Sequence, residues 1–450
     1  MEMVPVDINL KANNYKYISI YEEIVERINT GILKPNEKLL SKRDMAINLN
    51  VSLNTIINAY NLLLDEGYIY SIEKKGYYVT NQPVYAYHPQ IKETTKQESK
   101  NIKFDFTTRS VDNIVNPRFK KIYKSCIEND NYTEKTNFKG DIKLRKAIKK
   151  HLFENRGINV SLESIIISSG MEIFKEILSC ISLDKIYLEN PGYHKLAAIA
   201  KNIDKKIEYI DLDLDGVKVP SKSGILYTTS FNQFPTGIKM SISRKKELLS
   251  WAINSNSIII EDDFDAEFRI NSMPTTALYS LNNSHVIFFS TFSTTIYPGL
   301  RISYAILPDD IMKKYENKYS SYSCSVPTLD QLVLCDFINS GEYVRHINKT
   351  KKRYLEKREK IISELKKIDN ININTKKNYL SILVELPNLD KTELINNGIL
   401  INSLSDYDYY NNHSDTFILG YTGIKLEDIE DGIKAINNIL KNKNHINQCI

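Results

Sequence analysis

Apolar residues fall at helical spacing in three short stretches near the start of the chain. In "ISIYEEIVERINTG" Ile18, Tyr21, Ile24, Val25 and Ile28 recur on one face, and Gly31 follows as a stop. Ser41 precedes "KRDMAINL", and Asp44 three residues on predicts a capping box that opens a second helix. Ser52 caps a third, "LNTIINAYNLLLDEG", with Ile56, Ala59, Tyr60, Leu63 and Leu64 inward and Gly67 at its end. "YIYSIEKKGYYVT" then reads as two strands joined at Lys74-Lys75-Gly76. From residue 102 the pattern changes. "SIIISSG", "KIYLENPGY", "GILYTTSFN", "SIIIEDDFD", "HVIFFSTFS" and "RISYAILP" are apolar runs ending in polar or glycine-containing turns. Helical stretches such as "SRKKELLSWAIN" separate several of them, which predicts an α/β domain with a mostly parallel sheet.

Between these parts, residues 81–101 carry two prolines, little periodicity and a polar second half, and read as a linker. The expected organisation is therefore a head over 1–80, a linker over 81–101 and a large domain over 102–450.

Composition narrows the class. The 450 residues are 42% apolar and 26% charged, ordinary for a soluble protein. No apolar run approaches the roughly 18 residues of a membrane span, and the N-terminus lacks the layout of a signal peptide. Five scattered cysteines without a CxxC pair argue against both a disulfide framework and a zinc site. A cytoplasmic protein with free thiols, no metal and no membrane contact is expected. The net charge of +5 is too diffuse to imply nucleic acid by itself.

Three helices and a hairpin form a winged helix-turn-helix, whose third helix enters the DNA major groove by its N-terminal residues. Those are Ser52, Leu53, Asn54 and Thr55. Asn pairs bidentately with adenine, and Ser or Thr bonds base or phosphate. Lys42 and Arg43 open the second helix, and Lys74 and Lys75 tip the wing beside Gly76, as phosphate contacts. A generic three-helix module with the same caps is the alternative, because residues 1–80 hold 9 Lys and Arg against 10 Asp and Glu. The acids concentrate in the first helix, at Glu22, Glu23 and Glu26, and leave the proposed DNA face basic.

In the large domain the polar residues sit where strands end, the usual place for ligands in such sheets. Their chemistry suits pyridoxal 5'-phosphate (PLP). That cofactor needs a carboxylate on its ring nitrogen, and Asp262 in "IIIEDDFDAEFR" can serve. Tyr193 in "ENPGYH" can stack on the ring. Phosphate donors are available from the backbone after Gly170, at Met171 and Glu172, from the Thr291 hydroxyl and from Arg301. Gln233 in "NQFPTG" lies in a further strand-end turn. Each of these residues alone also reads as a cap or a turn.

The head, "GILKPNEKLLSKRDMAINLNVSLNTIINAYNLLLDEGYIYSIEKKGYYV", closely resembles the DNA-binding domain of GntR-type bacterial repressors. That resemblance implies DNA roles for Arg43, Ser52, Asn54, Thr55 and the wing around Gly76. Leu53 departs from it, since arginine is common there. The motifs "ISSGMEIF", "ENPGYH", "NQFPTG", "IIEDDFDAEFR" and "STFSTTIYPGLRISY" are similar to fold-type-I aminotransferases, in particular to those fused behind a GntR-type head, the MocR-type regulators.

The resemblance implies a homodimer that binds double-stranded operator DNA and senses a small-molecule effector. It also places Thr294 where the family carries the lysine that forms a Schiff base with the cofactor. Threonine has no amine, so no catalytic residue is assigned and any PLP would bind noncovalently. Phe264 stands where the family has a tyrosine that bonds the ring oxygen. No arginine appears near Ile418, where members that bind amino acids clamp the carboxylate. The alternative is a PLP-dependent aminotransferase carrying a DNA-binding head, and Thr294 argues against it.

Overall fold

A computed structural model describes residues 16–81, 102–107, 116–129, 132–268, 276–374, 380–410 and 415–448. The chain divides into two compact units, Met1–Gln97 and Glu98–Ile450. All but the first residue of the expected 81–101 linker, together with Cys449, lie outside the described residues. Among the described residues no helix is long and apolar enough to cross a membrane.

The smaller unit contains α1 (Lys16–Asn29), α2 (Lys42–Asn48), α3 (Leu53–Asp65), and strands β1 (Ile69–Ile72) and β2 (Gly76–Val79) paired antiparallel. The inner face of α1 differs from expectation by one residue. Ile20 and Ile24 are fully buried, while Ile18 is only half-buried and outside the core. An i, i+4 pair lies on one stripe, and Ile18 sits at its flank. On α3 the stripe of Ile56, Ala59, Tyr60 and Leu63 is fully buried, as expected. Ser41 and Ser52 cap α2 and α3, accepting the N–H groups of Asp44 and Thr55 at 3.2 Å each. The Asp44 carboxylate does not close a capping box, because it accepts a hydrogen bond from the Ser41 hydroxyl at 2.6 Å.

The larger unit is built on eight strands: β3 (Ile165–Ser168), β4 (Lys185–Asn190), β5 (Lys206–Asp213), β6 (Gly216–Val217), β7 (Ile225–Thr228), β8 (Ile258–Asp262), β9 (Val286–Thr291) and β10 (Ser303–Ile306). Their order is β3-β10-β9-β8-β7-β4-β5-β6. Strands β9, β8, β7, β4 and β5 are mutually parallel; β10 runs antiparallel to both its neighbours, and β6 runs antiparallel to β5.

Apolar residues fill both faces of the central strands. Ile259, Leu226 and Phe288 enter one core, while Ile260, Tyr227 and Phe289 enter the other. A period of two with no polar side is what a sheet covered on both faces requires. A four-stranded antiparallel sheet follows, from Asn372–Asn374, Ser381–Glu385, Asn402–Ser403 and Thr416–Gly420. Its fully buried Ile418 packs against Leu383 and Leu404.

Candidate functional site

A cavity of about 520 Å³ opens where the strands end. Sheet register assembles it. Thr291 pairs with Ser303, and Ser303 with Ser168, so the segments leaving β9, β10 and β3 meet in one row. Gly170, Thr291, Ser293, Thr294 and Arg301 line that end. Residues 260 and 262 of β8 point to one face, and Tyr227 is paired beside Ile260. Tyr227 therefore reaches its neighbour's end and donates its hydroxyl to Asp262 Oδ2 in a short hydrogen bond. Met171, Phe264 and Tyr193 also line the cavity, and Leu380, Ser381 and Tyr407 approach from the C-terminal lobe.

Asp262 is 6% exposed, and its second oxygen, Oδ1, has no hydrogen-bond partner. Burial pushes its carboxyl up to about 7, against the Tyr227 hydrogen bond that pulls it down. Asp265, also lining the cavity, is pushed up to about 7 by burial while the Asn232 amide donates to it. Ser293 Oγ and Asn232 Oδ1 are buried and unpartnered as well. The cavity wall thus holds several polar groups that a ligand can satisfy and that cost free energy when left unmet.

At the other end Arg301 adopts a left-handed backbone, φ +52°, and lies over Gly170, itself at φ +74°. A Cβ on residue 170 would stand 2.1 Å from Arg301 Nη2, so only glycine permits that approach. Thr291 Oγ1 donates to the Ile302 carbonyl at 3.2 Å and accepts the Ser293 N–H at 3.1 Å, which fixes the turn before Thr294. His346 Nε2 donates to the Thr295 carbonyl at 2.8 Å and holds the turn from behind.

Two expected lining residues are elsewhere. Gln233 is 2% exposed, and its amide N–H groups serve Glu189 Oε2 at 3.1 Å and the Pro191 carbonyl at 2.9 Å. It therefore ties the "ENPGY" turn to the "NQFPTG" turn and is not among the lining residues. Glu172 also lies off the lining. Its carboxylate sits 2.8 Å from Lys195 Nζ and 3.1 Å from Arg301 Nη2. Ile418 does not line the cavity either, so the position read as a missing carboxylate clamp belongs to the core.

In the head, Ser52, Leu53 and Asn54 are exposed at the start of α3, and Thr55 is half-buried. The Ser52 and Thr55 hydroxyls bond each other at 2.8 Å, which leaves Asn54 as the uncommitted amide there. Arg43, Lys74 and Lys75 are exposed, with Lys74 in the left-handed turn at φ +61° and Gly76 at φ +117°. Lys42 is half-buried, its Nζ 5.1 Å from the Tyr77 ring centroid.

Residues 16–79 match the gntR family of bacterial regulatory proteins, and residues 110–413 match aminotransferase class I and II. Over 93% of its length the chain is 32% identical to the HTH-type transcriptional regulator YdeL of Bacillus subtilis, covering 96% of that protein. It is 24% identical to the probable rhizopine catabolism regulatory protein MocR of Rhizobium meliloti, over 93% of this chain and 92% of that one.

The chain belongs to the MocR-type, GntR-family transcriptional regulators.

An archaeal alanine:glyoxylate aminotransferase superposes on 76% of this regulator and 91% of its own chain, with TM-score 0.69 and 22% identity, a likeness of fold. The regulator is a DNA-binding protein whose second unit has the fold of a PLP-binding family. The residues present suit that cofactor. The unpartnered Asp262 Oδ1 can accept a ring N–H, Tyr193 offers an exposed ring, and Arg301 offers a guanidinium to phosphate.

Sequence reading missed Tyr227, Asn232, Asp265 and Lys195, all on the lining. Asp265 lies inside the quoted "EDDFD" motif and follows Asp262 by three, which was the available signal. Gln233→Ala is expected to cost about 1–3 kcal/mol in denaturant unfolding, because fully buried Glu189 loses a donor. An unchanged unfolding midpoint would remove Gln233 from that role.

Proposed function

We propose that this regulator binds operator DNA as a homodimer and that a PLP-like ligand, held noncovalently in the cavity, sets its DNA affinity. The observation that carries the reading is Asp262, a buried residue on the cavity lining, held by Tyr227 on one oxygen and without a hydrogen-bond partner on the other. When bound, PLP supplies an electron-sink ring, and that chemistry needs an amine at the reacting carbon. Thr294 lines the cavity at the position we assign to the family's lysine, and its hydroxyl cannot supply that amine. Phe264, also on the lining, cannot hydrogen-bond a ring oxygen. The chain's own residues are left with binding work. Asp262 takes the ring nitrogen, Tyr193 covers the ring, and Arg301 with the Gly170–Met171 backbone takes the phosphate.

Calorimetric titration with PLP, then borohydride reduction and intact mass, tests this. Saturable binding with an unchanged mass is expected; no binding contradicts the reading.

Asn54 and Arg43 divide the DNA work. Asn54→Ala is expected to cost about 1–3 kcal/mol on the operator and to relax specificity. Arg43→Ala should weaken operator and scrambled DNA alike and lower the salt slope by about one. Fluorescence anisotropy on both DNAs across a salt series reads the two effects. Two heads on one dimer suit paired half-sites, and the ligand would act by favouring one arrangement of heads.

A further inference from the structure

The cationic end of the cavity holds more charge than Arg301 alone. Lys195 opens a short helix, Lys195–Lys201, two residues after Tyr193, and lines the cavity. Its Nζ lies 2.8 Å from Glu172 Oε1, and the other oxygen of that carboxylate lies 3.1 Å from Arg301 Nη2. One carboxylate therefore bridges two cations that both face the cavity, while Glu172 itself is off the lining.

All three side chains are partly open to water: Lys195 36%, Arg301 48% and Glu172 58% exposed. Ion pairs of that exposure contribute little and exchange readily. Burial raises the Glu172 carboxyl, but the Lys195 hydrogen bond and the Arg301 charge outweigh it, and Glu172 stays ionised. Arg301 reaches in beside Gly170, where its Nη2 takes the space a Cβ would fill. Independently, Ser293 Oγ lines the cavity, is buried and has no partner. Two cations bridged by one loosely held carboxylate form a site for a group with more than one negative charge, and the same cavity holds an unmet hydroxyl.

We propose that Lys195 and Arg301 together bind the dianionic phosphate of a phosphomonoester ligand, with Glu172 as an internal counter-anion that the phosphate displaces. This rests on the reading of the cavity as a ligand site, and it adds a residue and a charge state. A single negative charge gains too little to displace Glu172, whereas a dianion meets both cations. Affinity for PLP relative to pyridoxal therefore rises with pH through the second phosphate ionisation, near 6, whereas ionisation of Asp262, whose carboxyl is pushed up to about 7, acts on both ligands.

The test titrates the full-length protein with PLP and with pyridoxal, which lacks the phosphate, in wild type, Lys195→Met, Lys195→Arg and Glu172→Gln. Lys195→Met is expected to weaken PLP about tenfold, a loss of one charge-assisted contact, and to leave pyridoxal unchanged. Lys195→Arg should restore most of the loss. Glu172→Gln should tighten PLP severalfold, the opposite sign, which a misfolded variant would not give.

Equal PLP affinity in wild type and Lys195→Met overturns the proposal and leaves the ligand site standing. No PLP binding to the wild type overturns both. A borohydride-stable adduct on the wild type that disappears in Lys195→Met also overturns it, since the amine would then be capturing the carbonyl.

Discussion

Thr294→Lys is expected to convert noncovalent binding into a covalent adduct. After PLP and borohydride, the wild-type mass should be unchanged, while the variant should carry one reduced PLP per chain. Residue 294 lines the same cavity as Asp262 and Arg301, and the turn carrying it is fixed by Thr291 and His346. A lysine there points its amine into the same space. The added amine alone should give little amino-group transfer, because Phe264 cannot assist at the ring oxygen. No adduct on a folded Thr294→Lys variant would mean that residue 294 is not at the position of the family's lysine.

Asp262→Asn is expected to move stability and binding in opposite directions. Burial pushes the Asp262 carboxyl from 3.8 to about 7, so the folded protein holds a proton there that the unfolded chain releases above about 4. With more protons bound when folded, the stability of the ligand-free protein falls as pH rises from about 4 to about 7 and stays reduced above that. The full penalty is on the order of 4 kcal/mol. Asn keeps an acceptor for Tyr227 and carries no charge, so the variant should be more stable than wild type at pH 8 and similar at pH 4. Its PLP affinity should drop about 10- to 100-fold, the worth of one charge-assisted hydrogen bond. Thermal unfolding across pH, with and without PLP, reads both. Equal pH profiles in the two proteins would remove Asp262 from this role.

The elements were legible where a pattern is local. The stripe of α3 and the two-sided apolar strands follow from periods of 3.6 and 2, which any neighbour must respect. Ile18 was misread because a window of residues does not fix the phase of a helix against its partners, and Ile20 holds that place. The cavity was legible to the extent that strand ends carry chemistry: Asp262, Tyr193, Thr291, Thr294 and Arg301 all line it. What failed depends on contacts between distant segments. Gln233 looks like a ligand residue until Glu189, far away in sequence, takes its amide. Glu172 was read for its backbone N–H alone, and the bridge its side chain makes between Lys195 and Arg301 had no local signal. Tyr227 had no signal, since its hydroxyl gains meaning only through the pairing of β7 with β8.

The most direct test of ligand control is the affinity of the full-length protein for the DNA upstream of its own gene, by fluorescence anisotropy, without PLP and at a PLP concentration that saturates the cavity in calorimetry. A change in Kd of at least about fivefold, about 1 kcal/mol of coupling, is predicted. Superimposable binding curves under cavity saturation would contradict the account.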